Sequence, residues 1–256
     1  MNKKNLNSFL IPISFGLYFV IGLFIHRNYG IGIEEHFQRQ NGFYWLEKIF
    51  SLIRAEELQN LALDKYLTIK SYNPNLPNPD FFNFYGIAFD VPAAFIELFF
   101  EFNNSKQYFE IRHLMSFFFF FISSIFFFKI LKRKFKNNFI IFLGTVLYII
   151  NPRIFGDSFH NNKDIFFLSI LTISIFFLFK YFEKQNIKSI IFFCLFAAIA
   201  TSTRIVGIYL PVLLGIFIFI EYLSNKKTLN IFIKTILQVI FHILSVFNQR
   251  PVIGAD

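Results

Sequence analysis

Apolar residues gather in eight runs along the chain, and the breaks between them are of two kinds. The first run follows MNKKNLN and ends at HR, and the others cover roughly 84–100, 114–131, 139–150, 165–182, 189–202, 205–223 and 229–247. One kind of break is basic: Lys3/Lys4, KILKRKFK (129–136), KYFEKQNIK (180–188) and SNKKTLN (224–230). The other mixes signs, in the long stretch 27–112 and the short islands NPRIFGDSFHNNKD (151–164) and TSTR (201–204). Runs of this length, free of alternation, predict helices rather than strands.

Basic clusters beside apolar runs mark the cytoplasmic side, so an even number of crossings must separate each consecutive pair. Three runs lie between Lys4 and Lys129, and one of them therefore does not cross. The run NFYGIAFDVPAAFIELFFEFNN is the candidate, because Asn83, Asp90 and Glu97 recur every seven residues and Glu101 and Asn104 extend the stripe, as in a helix lying in the outer interface. The runs at 139–150 and 165–182 then form one hairpin and those at 189–202 and 205–223 another. A single helix over 190–223 would be about 51 Å long, more than one crossing needs. The sequence predicts an all-α fold, a polytopic transmembrane bundle of about seven spans in one membrane domain over 1–256. The N-terminus is cytoplasmic, and a helical external cap (27–112) follows the first span. The start has a basic n-region but no Ala-x-Ala-like cleavage site, which predicts an uncleaved first span.

Composition agrees. The 256 residues are 55% hydrophobic and only 16% charged, with mean hydropathy +0.52 and 43 phenylalanines, too apolar for a soluble domain. The net charge of +9 sits in the orienting clusters, without a nucleic-acid motif, so no nucleic-acid partner is expected. One cysteine, Cys194, lies within an apolar run, excluding an intramolecular disulfide and a cysteine-based metal site. The stretch 27–112 holds 11 of the 16 acidic residues against eight Lys and Arg, which predicts a folded cap, and NGFYWLEKIFSLIR within it alternates apolar and polar faces at helical spacing.

Chemistry concentrates in three places. YGIGIEEHFQRQNG brings Glu34, Glu35, His36 and Arg39 within about a turn of a helix start, where an acidic pair can also serve the helix dipole. The island 151–164 supplies Arg153, His160 and Lys163, able to hold a phosphate, with Asp157 and Asp164 to orient them. The run before it has only about a dozen apolar residues, roughly 18 Å, so the island dips below the outer surface, where charges usually line a cavity. Arg204 stands at the tip of the next hairpin. Glu34, Glu35, His36 and His160 leave room for a divalent cation, although no metal motif is present and no cofactor is required.

The order of these motifs resembles the GT-C superfamily of membrane glycosyltransferases, and most of all its protein O-mannosyltransferase and aminoarabinose-transferase branch. Gly32-Ile33-Glu34-Glu35-His36-Phe37 with Arg39-Gln40-Asn41-Gly42 carries the likeness, followed by Arg112-His113-Leu114. Pro152-Arg153-Ile154-Phe155-Gly156 through Asn161-Asn162-Lys163-Asp164 and Thr203-Arg204-Ile205-x-Gly207 complete it. The resemblance implies a polyprenyl-phosphate sugar as donor, an acceptor hydroxyl on a protein, lipid or glycan, and inversion at the anomeric carbon. It makes Glu34 the catalytic base and Glu35 its orienting neighbour. Arg153, His160, Lys163 and Arg204 are the donor-phosphate residues, and His36, Arg39, Asp157 and Asp164 support them. The family usually has Asp where Glu34 stands, and its members are usually longer, so the resemblance also admits a truncated remnant. The expected location is a bacterial inner membrane with a periplasmic active site among membrane lipids. A transporter or flippase of an anionic lipid or solute is the rival, and it predicts broken helices or repeats.

Overall fold

The computed structural model describes residues 3–80 and 86–224, and among them every regular element is a helix. Ten α-helices follow one another: α1 (Lys3–Ile25), α2 (Glu35–Leu52), α3 (Glu56–Tyr72), α4 (Asp90–Phe99), α5 (Ser105–Lys134), α6 (Asn138–Ile150), α7 (Pro152–His160), α8 (Asp164–Lys184), α9 (Ile187–Thr203) and α10 (Tyr209–Ser224). The chain divides into two compact units, 1–169 and 170–256.

Among the described residues three helices are long and apolar enough to cross a membrane: Leu10–Asn28, which includes the 3₁₀ turn after α1, then α5 and α8. A fourth crossing is available if α6 and α7, bent by 52° at their junction, count as one span. Ile187–Thr203 and Ile205–Ile220 are shorter apolar helices. Of the seven spans expected from sequence, the one at 229–247 lies outside the described residues.

In the first unit the core is aromatic. Tyr18 of α1 meets Phe117, Phe120 and Phe121 of α5 at ring-centroid distances of 5.4, 6.3 and 6.0 Å. The backbone at Gly22 lies so close to the Phe117 ring that a Cβ there would fall 2.0 Å from it, so α1 and α5 approach through this missing side chain. Ile149, Phe159 and Ile165 complete the buried cluster.

The polar island 151–164 is largely helical rather than a loop. Asn151 caps α7, its side-chain oxygen accepting from the backbone N–H groups of Arg153 and Ile154, and Pro152 takes the first helical position, where its missing N–H costs nothing. Phe155 of α7 lies beside Tyr18, 6.1 Å between ring centroids, whereas Phe159 stacks on Tyr29 at 4.6 Å. Tyr18 precedes Asn28 by ten residues, about 15 Å of helix. α6 therefore stops inside the apolar layer and α7 climbs the remaining distance. The hairpin turns at 161–163, not across the whole island.

α2, α3 and α4 pack together around Phe43, Leu46, Phe50, Ala62, Ile69 and Ala94. A Cβ at Gly42 would meet the Asp90 carbonyl oxygen at 2.4 Å, so α2 and α4 touch backbone to backbone. The seven-residue stripe on α4 points opposite to its expected direction. Asp90 and Glu97 are buried, while Phe95, Phe99 and Phe100 are 46, 71 and 60% exposed. Asn83 lies outside the described residues, Glu101 is exposed, and Asn104 caps α5 by accepting from the Lys106 N–H.

In the second unit, α9 ends at Thr203 and the chain doubles back through a 3₁₀ turn into α10. Gly207 makes this turn possible, since a Cβ there would strike the backbone of Ala200 and Thr201 at 2.6 Å or less. Phe177 of α8 stacks on Phe192 and Phe196 of α9.

Candidate functional site

The site lies in the first unit, where α5 enters its apolar run at Leu114. Its last two polar residues, Arg112 and His113, are 1 and 2% exposed and each holds a carboxylate from a different helix. His113 Nε2 lies 3.0 and 3.2 Å from the two carboxylate oxygens of Glu35. Glu35 Oε2 also accepts from the Gly32 N–H at 2.7 Å, and the Glu35 N–H returns a bond to the Gly32 carbonyl at 3.1 Å. The loop 30–34 is thereby tied to the top of α5. Its remaining carboxylate, Glu34, is exposed and takes only a long contact of 3.5 Å from Gln38 Nε2.

Arg112 Nη2 donates to Asp90 Oδ1 at 3.1 Å, and Asn41 Nδ2 donates to Asp90 Oδ2 at 3.2 Å. Burial pushes the Asp90 carboxyl above the usual carboxylate range, while Arg112 and Lys163 pull it back electrostatically. The Nε and Nη1 groups of Arg112 are buried without a hydrogen-bond partner, as are both polar atoms of the Asn162 side chain. Such groups carry a desolvation cost of about 1–3 kcal/mol each unless a bound group or water meets them. A further buried pair, Arg39 with Glu97, joins α2 to α4 through bonds of 2.5–3.0 Å, and the Arg39 guanidinium lies over the Tyr108 ring at 3.6 Å.

The structure brings some of the residues named from sequence together. Gly32 approaches the His160 carbonyl, to which a Cβ there would stand at 3.6 Å, and Tyr29 stacks on the His160 ring at 5.8 Å. The end of α7 is therefore next to the Glu34/Glu35 loop. Lys163, 6% exposed, belongs to the Asp90 cluster. Others stand apart. Arg153 is exposed at the start of α7, 3.9 Å from Asp157, which also lies 3.7 Å from His160 Nε2. Asp164 is exposed and exchanges two local bonds of 3.1 Å with Asn161, as a cap of α8 does. Arg204 belongs to the second unit, exposed at the end of α9. Arg39 is committed to Glu97, and His36 packs edge-on against Phe109 at 5.2 Å. Among the described residues no group of three or more His, Cys, Asp or Glu could hold a metal ion.

Asp90, Asn41 and Glu97 were not singled out as site residues. The signal for Asp90 and Glu97 was the polar stripe within an apolar run, which defines a face but not the direction it looks, and Asn41 stood only within the motif Arg39-Gln40-Asn41-Gly42.

The described residues form a helical membrane protein in which Glu35 is held by His113 and Asp90 by Arg112 at the head of α5. Residues 91–248 match the family model described as dolichyl-phosphate-mannose-protein mannosyltransferase. The chain belongs to this family, a mannosyltransferase-type glycosyltransferase of GT-C type. No curated protein and no solved structure matches it.

Proposed function

We propose that the chain transfers a sugar from a polyprenyl-phosphate donor to an acceptor hydroxyl on the non-cytoplasmic face of a bacterial inner membrane, with inversion. The observation that carries this reading is the pairing at the head of α5. His113 pins the Glu34/Glu35 loop, and the adjacent Arg112 keeps two buried N–H donors without a partner.

The donor phosphate is a negatively charged, acceptor-only group suited to an unpartnered Arg112 N–H, and Lys163 adds a second positive charge to the cluster. In a dry site these cations stabilise the charge that builds on the departing phosphate. Glu34, the exposed carboxylate, removes the proton from the acceptor hydroxyl as it attacks the anomeric carbon. Glu35 acts through position, because its oxygens are committed to His113 and Gly32. His160, next to the loop, and Arg153, at the break between α6 and α7, line the path of the lipid phosphate in this reading. The aminoarabinose-transferase side of the family remains within its scope, since no residue discussed above selects one sugar.

The test is single-turnover transfer from a short-chain polyprenyl-phosphate sugar in detergent. Glu34→Gln is expected to lower transfer at least a hundredfold while donor binding stays within a factor of two. Undiminished transfer would remove Glu34 as base.

One observation favours a second reading. The α6/α7 pair is bent by 52° at its junction, a break of the kind an anion transporter would have, and it is the one such bent pair among the described residues. Donor uptake into vesicles without transfer would decide for that reading.

A further inference from the structure

A small cavity of about 160 Å³, lined in part by His113, opens where the end of α1 meets the first turns of α5. Its walls are Arg27, Tyr29, Lys106, Phe109, Glu110 and His113, with the Ser105 hydroxyl at the rim. One acid faces two bases there. The Glu110 carboxylate lies between Arg27 Nε at 3.9 Å and Lys106 Nζ at 3.8 Å, too far from either for a hydrogen bond. Its Oε1 is buried and accepts no hydrogen bond at all. The two cations are 67 and 76% exposed, so their heads remain accessible.

The depth of the cavity identifies the kind of molecule that reaches it. Arg27 ends the first span, and Glu110 stands one turn above Leu114, where the apolar run of α5 begins. Below the cavity, Phe24 on α1 and Phe118 on α5 are 75 and 46% exposed. Phe118 follows Glu110 and Leu114 at intervals of four, on one helix face. A polar cavity with apolar side chains running from it toward the bilayer fits a lipid, with the headgroup in the cavity and an acyl chain on the stripe.

We infer that this cavity binds a bilayer phospholipid whose headgroup carries both a phosphate and a primary ammonium, as in phosphatidylethanolamine. The phosphate meets Arg27, Lys106 and the Ser105 hydroxyl, and the ammonium donates to the Glu110 carboxylate, whose side chain keeps 22% of its surface exposed. Tyr29 and Phe109 lie beside the ammonium, where their rings favour a cation. An anionic headgroup without an N–H⁺ would leave Glu110 unsatisfied and repelled. A choline headgroup has the charge but no N–H to give. The volume suits a headgroup of this size and is well short of a drug-sized ligand site. This inference does not depend on the proposed reaction.

The test is native mass spectrometry of the delipidated, detergent-purified full chain with phosphatidylethanolamine, phosphatidylcholine, phosphatidylglycerol and decaprenyl phosphate added at equal mole fraction. Wild type is expected to retain phosphatidylethanolamine about tenfold better than the phosphatidylcholine and phosphatidylglycerol, and Glu110→Gln to remove that preference while leaving the phosphatidylcholine unchanged. Lys106→Ala, on an exposed side chain that does not endanger folding, is expected to weaken every phospholipid several-fold. Equal retention of the three phospholipids, or none above the detergent background, would overturn the inference. Stronger retention of decaprenyl phosphate, increased further by Glu110→Gln, would also overturn it and make the cavity an anion site for the donor.

Discussion

Asp90 is the residue on which the buried cluster balances. It neutralises one of two neighbouring cations, Arg112 and Lys163, within a part of the chain closed to water. Removing its charge leaves two like charges facing each other, a change that costs about 3–5 kcal/mol when a buried pair loses one partner. Asp90→Asn is therefore expected to lower the thermal midpoint in detergent by several degrees, and Arg112→Gln in the same chain to restore most of it. An unaffected midpoint in the single variant would show that the pair contributes nothing to folding. Arg112→Gln alone is milder, because Lys163 still faces Asp90. At this scale the sequence was partly legible. The order of the motifs singled out Glu34, Glu35 and Lys163 as candidates. Which acid is buried and which exposed was not, since adjacent residues on a helix start look alike until His113, 78 residues further on, claims one of them.

Two elements departed from their sequence reading for separate reasons. α7 looked like a loop because its composition is polar, yet Asn151-Pro152 is a cap followed by a first-turn proline, and that local signal outweighs composition. α4 was recognised as an amphipathic helix outside the span count, but hydrophobic periodicity cannot say which face meets protein. Here the polar face meets α2 and α5 through buried ion pairs, so the aromatic face is left to the surroundings. Because α4 starts beside Arg112 and its Phe89 neighbour packs on Phe119 and Phe166, that aromatic face stands at the level where the spans begin. A tryptophan at Phe99, in a Trp45→Phe background that leaves no other indole, is expected to be quenched strongly by lipids brominated near the headgroup. Quenching by aqueous iodide instead would mean that α4 faces water.

For the whole molecule, the apolar runs and basic clusters were enough to establish an all-α membrane protein, and the family match over 91–248 agrees with the resemblance to the GT-C superfamily. That match begins after the Glu34/Glu35 loop, so the connection between loop and family scaffold is made by geometry: His113 and Arg112, adjacent on α5, hold the loop and the buried cluster. The number of crossings was less legible, because the 52° bend between α6, 13 residues long, and α7 leaves neither helix long enough to count as a span by itself. The central claim is that the head of α5 holds the phosphate of a lipid-linked sugar. Its most direct test is equilibrium binding of a short-chain polyprenyl-phosphate sugar to the purified chain, wild type beside Arg112→Gln. Saturable binding, weakened at least tenfold in a variant that still unfolds cooperatively, is the predicted result. Equal binding by a folded Arg112→Gln protein, or no binding by wild type, would contradict it.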